Sequence, residues 1–428
     1  MPRTEHDRLA DLTHAVQSLY AANRRQGHAA WCDRDYDYTC PAPETYPFQW
    51  FWDSCFHAIV LSRLDVERAE AELRTLLAGQ HADGFISHIT LWPLEEGADG
   101  LPHYFAGWRT PWTSSSMQPP VLAEAVEVVA ARGASAGFLG EVLPAVRAYY
   151  DWCDRDRDPE GDGLLVAFEP HETGMDQSPS FDTALGVASR DADGFGQAWR
   201  ALARSRETAG DDPGRLIEQD RFVVVDLMIN TAYAENQRAL ARLHERAGDE
   251  AGAAQMHARA TRTSRALWER CWDPSDRELH ALAGRERRRL PGGTIAGLLP
   301  LLLEDLPSGG VDAITERLAD HRQFSAPYPV PSVSRSHPAY QPDPGDTALW
   351  RGPTWMVTNW YLARGLRRHG RPDLAVSIED ASLALVERSG FREHYNPETG
   401  AGLGARDFAW SALALEMLAS RAEGSGKP

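Results

Sequence analysis

Residues 222–273 read FVVVDLMINTAYAENQRALARLHERAGDEAGAAQMHARATRTSRALWERCWD. Two long runs, 222–247 and 249–273, carry apolar residues at steps of three and four, with only Gly248-Asp249 between them. That spacing marks amphipathic helices. A link so short sends the second helix back along the first, as an antiparallel hairpin. The pattern recurs along the chain. Leu9, Leu12, Val16 and Leu19 open it, and stretches near 53–64, 66–80, 119–132, 136–154, 293–303, 310–320, 353–369, 371–388 and 407–421 continue it. Arg132-Gly133 is a second short link. The reading is about a dozen helices, most of them paired. Alternating strand patterns are scarce and confined to pieces such as Phe85-Ile86-Ser87-His88-Ile89.

The long connections, roughly 26–52, 83–118, 155–195 and 324–352, are dense in Trp, Tyr, His, Asp, Gln and Pro. Long ordered loops in a compact domain are uncommon and usually functional. Short links at one side and long aromatic loops at the other predict a toroid of helix hairpins with its site at one mouth. Six pairs make an (α/α)6 barrel, so the expected fold is all-α. No Pro/Gly/Ser linker divides the chain, and residues 1–428 are expected to form a single domain. A superhelical repeat array is the alternative, but no fixed repeat of roughly 30–45 residues is found.

The 428 residues are 43% hydrophobic and 25% charged, an ordinary composition for a globular protein. A net charge of −18 argues against nucleic acid or an anionic membrane as partner. It also means that an anionic substrate needs a locally basic pocket. Of 44 basic residues only Lys427 is lysine, a bias expected of a GC-rich bacterial genome. The five cysteines, Cys32, Cys40, Cys55, Cys153 and Cys271, are odd in number and show no Cys-x-x-Cys spacing. Neither a disulfide framework nor a zinc site is expected, and a reducing cytoplasm fits best. The N-terminus lacks an apolar signal region, and no stretch approaches about 18 consecutive apolar residues. A homo-oligomer is left open.

The chemistry starts from Glu169-Pro-His-Glu-Thr-Gly-Met-Asp-Gln-Ser-Pro-Ser-Phe-Asp182. Asp176 stands between a Gly-Met pair and a Gln-Ser-Pro turn, which puts its carboxylate on a loop. Glu393 has a similar setting in Phe391-Arg-Glu-His-Tyr-Asn-Pro-Glu-Thr-Gly400. Two loop carboxylates far apart in a Trp-rich chain suggest the acid and base of a glycosidase. Any one of the 62 acidic residues is most often merely solvated, so the surroundings carry the case.

Tyr46, Trp50 and Trp52 precede Asp53, which either caps the next helix or takes two sugar hydroxyls beneath an aromatic platform. His88 lies in Asp83–Ile89 and Gln118 in Ser115–Pro120, both beside turn residues; either is as readily structural as functional. In Thr347–Trp355, Trp350, Arg351, Gly352 and Trp355 form a further block. Arg351 serves either a salt bridge at a helix end or a catalytic carboxylate or substrate oxygen. The acidic segment 154–163 resembles a calcium loop but has Pro159 where glycine is required and no closing Glu. It reads as a tight turn, and no metal or cofactor is expected.

Together these blocks resemble glycoside hydrolase family 63 and its relative, the family 37 trehalases. The matching pieces are Phe48–Asp53, Gln118–Pro120, Glu172–Pro179, Trp350–Trp355 and Glu393–Gly400, followed by Phe408–Ser411. They stand in family order across about 46–411. The resemblance implies an (α/α)6 barrel and inverting hydrolysis of an α-glycoside, with Asp176 as acid and Glu393 as base; Glu398 is a loop residue by the motif. The chain is most similar to the compact bacterial branch acting on mannosylglycerate and glucosylglycerate. Met175 replaces the Trp of trehalases, which counts against trehalose. A glycerate carboxylate would need an arginine, with Arg109, Arg221 and Arg335 as candidates on loops 104–110, 204–222 and 328–340. Alternatives are an α-glucosidase of neutral disaccharides and a catalytically silent sugar-binding barrel. A terpene-cyclase-like barrel would need an Asp-x-Asp-Asp helix motif, which is absent.

Overall fold

The computed structural model describes residues 4–97, 107–189, 191–345 and 349–425. Helix accounts for 54% of the described residues. In order the helices are α1 (Glu5–Asn23), α2 (Phe51–Leu64), α3 (Val66–Ala78), α4 (Leu122–Ala131), α5 (Phe138–Arg157), α6 (Asp182–Leu185) and α7 (Ala192–Ala209). There follow α8 (Pro213–Gln219), α9 (Leu227–Arg246), α10 (Glu250–Cys271), α11 (Ser308–Ala319), α12 (Met356–Arg368), α13 (Pro372–Ser389) and α14 (Leu413–Ser425). Short polar side chains set many of the starts. Asp65, Asp226 and Asp249 cap α3, α9 and α10 through the backbone N–H groups of Arg68, Ile229 and Gly252. Thr4 and Asp7 form a reciprocal capping box on α1.

The hairpins follow the short links: α2 packs on α3, α9 on α10 and α12 on α13. Contacts also run from α2 to α4, α4 to α9, α9 to a 3-10 turn at Leu299–Leu302, on to α12, α14 and back to α2. Burial separates these elements from their partners. Phe51 through Ser62 of α2 are all buried, and α9 is buried over most of its length, whereas α3 and α10 bury one face. A helix apolar or buried all round belongs in the interior. The ends of the chain meet, since α1 packs on α14.

Three expectations need correction. The stretch 293–303 is not a helix but two 3-10 turns, Ile295–Gly297 and Leu299–Leu302, because Pro300 has no N–H to give an α ladder. Helices α7 and α8 occupy a stretch in which none was expected. Short strands are commoner than the sequence suggested, including a four-stranded patch that joins Gln49–Trp50 to Ile89–Thr90, then to Thr113–Ser114 and Trp108–Thr110. The acidic turn is occupied by arginines: Arg259 and Arg262 hold Asp154, and Arg270 holds Asp162. All five cysteines are free thiols. Among the described residues, no helix is long and apolar enough to cross a membrane.

Candidate active site

A cavity of about 260 Å³ opens between the loops, and Asp176 and Glu393 both line it. Asp176 is delivered by the 3-10 turn Pro170–Thr173, which ends on Gly174 at φ 72°. A Cβ at Gly174 would run into the indole of Trp52, so only glycine lets this turn lie against that ring. Glu172 anchors the turn from below. Arg157 donates to both of its carboxylate oxygens at 2.7 Å, Arg206 adds a contact at 3.2 Å, and the Phe168 N–H donates at 2.7 Å. Burial pushes the Asp176 carboxyl up, with the charge of His171 working against it and that of Glu169 with it. A carboxyl that keeps its proton above the ordinary aspartate range suits a proton donor.

Glu393 lies not on a loop but in a hairpin strand, Arg392–Tyr395, paired with Gly402–Arg406. The register shifts between Arg392 and His394, so Glu393 faces two residues of the partner strand, a bulge that aims its side chain. Tyr46 donates its hydroxyl to Oε1 at 3.1 Å, and the Ala405 N–H donates to Oε2 at 2.9 Å. Gly404, at φ 61°, lies in the bulge of the partner strand opposite Glu393; a Cβ there would stand 2.5 Å from Oε2. Both oxygens are thus held by donors that favour the charged form.

Aromatic rings make the walls. Tyr46, Trp50, Trp52, Trp350 and Trp355 all line the cavity. Trp350 and Trp355 stack face to face with centroids 3.9 Å apart, and Trp410 stands edge-on between Trp355 and Trp52. Asp53 is not the cap of α2. It sits in the first turn, after a Trp50 N-cap that makes no side-chain bond, and this frees its carboxylate for the cavity. Burial first, then the charges of Glu393 and Glu72, raise its pKa against a backbone hydrogen bond, and Oδ1 has no partner among the described residues. Gln118 accepts from the Trp52 N–H at 3.0 Å through its carbonyl and faces the cavity. His88 packs edge-on to Trp50 at 4.9 Å, and burial drives its pKa well down, so it is a neutral imidazole.

The family profile described as the mannosylglycerate hydrolase MGH1-like glycoside hydrolase domain matches residues 46–411. The chain belongs to that family. It is a glycosidase. The mannosylglycerate hydrolase of Thermus thermophilus is 32% identical over 414 residues, covering 88% of this chain and 96% of its own length. The glucosylglycerate hydrolase of Mycolicibacterium hassiacum is 28% identical over 426 residues, covering 88% and 93%. The crystal structure of a family 63 mannosylglycerate hydrolase from Thermus thermophilus, in complex with Tris and D-glycerate, superposes with a TM-score of 0.84 at 29% identity. It covers 96% of this chain and 100% of its own.

Two expected site residues of this glycosidase stand outside the cavity lining. Arg351 is buried against Asp182, donating through Nη1 at 3.0 Å and also through Nη2, and so pins one site loop to another. Gly352 lets the backbone pass close to Gln341, where a Cβ would collide with the Gln341 carbonyl. The arginines proposed for a carboxylate are also elsewhere. Arg109 pairs with Asp83 at 2.7 Å beside a separate cavity, Arg335 pairs with Glu398 at 2.8 Å, and Arg221 is exposed. Residues 104–106, 347 and 348 of the expected loops lie outside the described residues. Among the described residues, no arginine lines the cavity. The lining also includes His171, Trp199, Phe408 and Trp410, none of which was assigned a role from sequence. His171 lay in plain view five residues before Asp176. Trp199 could have been found from Phe195, Trp199 and Leu202, which repeat at helical spacing. Asp276, Glu278 and His280 offer three ligand atoms within 4.8 Å, but Arg317 already sits 3.0 Å from Glu278, and the group lies outside the cavity lining.

Proposed function

We propose that this glycosidase hydrolyses an α-glycoside of glycerate, mannosylglycerate or glucosylglycerate, with inversion, releasing a hexose and glycerate. The observation that carries the reading is the meeting of Asp176 and Glu393 in one aromatic cavity, the first in surroundings that hold its proton, the second fixed by two donors. Asp176 gives its proton to the leaving oxygen. Glu393 removes one from a water on the opposite face of the sugar ring. Asp53 accepts sugar hydroxyls, and the indoles cover the C–H faces. The names of the two hydrolases above support glycerate as aglycone.

The scaffold is an (α/α)6 barrel in a single domain over 1–428. The closed circuit of α2, α4, α9, the 299–302 turn, α12 and α14, each backed by a second helix, supports this. Five free thiols and a small-solute substrate support a cytoplasmic, bacterial enzyme, and the charge of −18 supports a partner list without nucleic acid or membrane. The cavity's lack of a described arginine favours a second reading, a neutral α-linked disaccharide. A hydrolysis screen against mannosylglycerate, glucosylglycerate, trehalose and kojibiose separates the two. Release of hexose from either glycerate glycoside at the highest kcat/KM is expected; turnover of the disaccharides alone overturns the first reading.

A further inference from the structure

Asp176 and Glu393 reach the cavity on separate stretches of chain, and the short segment 349–355 touches both. Leu349, Trp350 and Trp355 of that segment stand in the cavity lining beside the two carboxyl groups. At its start the segment is tied to the loop of the acid. The Leu349 N–H donates to the side-chain carbonyl of Gln177 at 2.7 Å. Arg351 donates to Asp182 through Nη1 at 3.0 Å and also through Nη2. Gln177 follows Asp176 directly, and Asp182 opens α6. At its end the segment is tied to the strand of the base. The Thr354 N–H donates to the Tyr395 carbonyl at 2.8 Å, and the Tyr395 N–H donates back to the Thr354 carbonyl at 2.9 Å. Tyr395 lies in the same strand as Glu393.

Between these ends the segment is stiff. Trp350 and Trp355 stack with centroids 3.9 Å apart, Pro353 has a fixed φ, and the Gly352 N–H donates to Ser332 Oγ at 2.9 Å. Arg351 and Asp182 are both buried, and a two-point guanidinium–carboxylate pair admits one geometry. The loop of the acid is therefore pinned on both sides of Asp176. Glu172 holds it from below before the acid, through Arg157 and Arg206. Gln177 and Asp182 hold it after the acid, and both of those links run to the segment that is paired with the base strand.

We propose that residues 349–355 are a brace that ties the aim of the acid to the strand of the base, with Gln177 and Arg351 as positioning residues for proton donation by Asp176. This rests on the reading of Asp176 as acid and Glu393 as base. The helices set how far apart the two carboxyl groups stand, and the brace sets where the acid points. Proton donation depends on that aim, because the proton passes over one hydrogen-bond length and a misplacement of about 1 Å costs on the order of 10²-fold.

The test compares two leaving groups in the wild type, in Gln177→Leu and in Asp176→Asn. One substrate is the O-glycoside that the enzyme hydrolyses, and the other is the α-fluoride of the same hexose. The aglycone oxygen must receive a proton from Asp176 as its bond to the anomeric carbon breaks. Fluoride leaves with the bonding electron pair and no proton, while Glu393 still takes a proton from the attacking water. Leucine keeps the bulk of Gln177 and removes the acceptor. Gln177 and Leu349 are both half-buried, so water can take over the Leu349 N–H and Tm should change little. For Gln177→Leu, kcat/KM on the O-glycoside is expected to fall about 10- to 100-fold, and on the fluoride less than about threefold. Asp176→Asn should show the same split more strongly. If Asp176→Asn splits the two substrates while Gln177→Leu loses both equally, or neither, the brace is overturned and the acid stands. If Asp176→Asn itself loses both equally, the reading of Asp176 as acid fails and the inference goes with it.

Discussion

Asp176 can act as the proposed acid only while it holds a proton, and its burial favours that state. Asp176→Asn keeps the shape and cannot donate, so kcat is expected to fall at least ~10²-fold with little change in Tm. Glu393→Gln should behave alike, since the amide oxygen can still accept from the Ala405 N–H while the Tyr46 hydroxyl turns to accept from the NH2, and the amide removes no proton from water. Wild-type turnover in either variant removes that residue from the mechanism. Because burial raises the Asp176 pKa, the alkaline limb of kcat/KM should lie above the ordinary aspartate range, activity being lost as pH climbs through it. Gly404 tests the other carboxylate. Its φ of 61° already strains any other residue, and an added Cβ meets Glu393 Oε2. Gly404→Ala is expected to cost about 1–3 kcal/mol of stability and also to lower kcat, because the displaced group is the proposed base.

At the level of elements, ion pairs divide by burial. Arg157 and Glu172 are both almost fully buried, whereas Arg277 and Glu316 are each at least half exposed. Arg157→Met leaves a buried carboxylate short of a partner and should cost about 3–5 kcal/mol, while Arg277→Met should cost under about 1 kcal/mol. Chemical denaturation of the two variants measures the contrast. Glu72 of α3 gives a pH signature. It accepts from the Thr39 N–H at 2.6 Å and from Ser54, yet burial raises its pKa to about 8. A carboxyl raised in the folded state stabilises fully below its unfolded pKa, and that stability fades as pH rises through about 8. Tm should decline between pH 5 and pH 9, and Glu72→Gln should flatten the decline; equal slopes would show that Glu72 carries no such linkage. The helix hairpins themselves were legible because short links and apolar steps are local signals. Helix α7 was missed although Phe195, Trp199 and Leu202 step at helical spacing, because Gly194 and Gly196 stand in its first turns and read as a loop. The strand that holds Glu393 was also hidden, since four residues of Arg-Glu-His-Tyr show no alternation and its pairing depends on Gly402–Arg406 across a turn. For the site, Asp176, Glu393 and the five aromatics could be read from turn chemistry and motif order. Arg351 misled because a guanidinium between two indoles looks like a ligand group, and only tertiary packing shows that Asp182 takes it.

The whole molecule sets the stereochemistry. Asp176 arrives on a turn between α5 and α6, and Glu393 on a hairpin between α13 and α14, so opposite stretches of the chain supply the two carboxylates. Their separation is therefore fixed by the closed circuit of helices rather than by any one loop, and it selects the reaction. A gap of roughly 6.5–9.5 Å leaves room for a water beside Glu393 and gives inversion, whereas about 5–5.5 Å brings the base onto the anomeric carbon and gives retention through a covalent intermediate. Tyr46 and Ala405 each donate one hydrogen bond to Glu393, one to each oxygen, and so orient the carboxylate; under the proposed inversion that orientation serves a water. The first hexose released from an α-glycoside should accordingly be the β-anomer, seen by proton NMR within the first turnovers and before mutarotation. If the α-anomer appears first, Glu393 acts as a nucleophile. In that case rapidly quenched enzyme should carry a hexosyl ester on Glu393, visible as added mass on the peptide that holds it, whereas inversion passes through no such adduct.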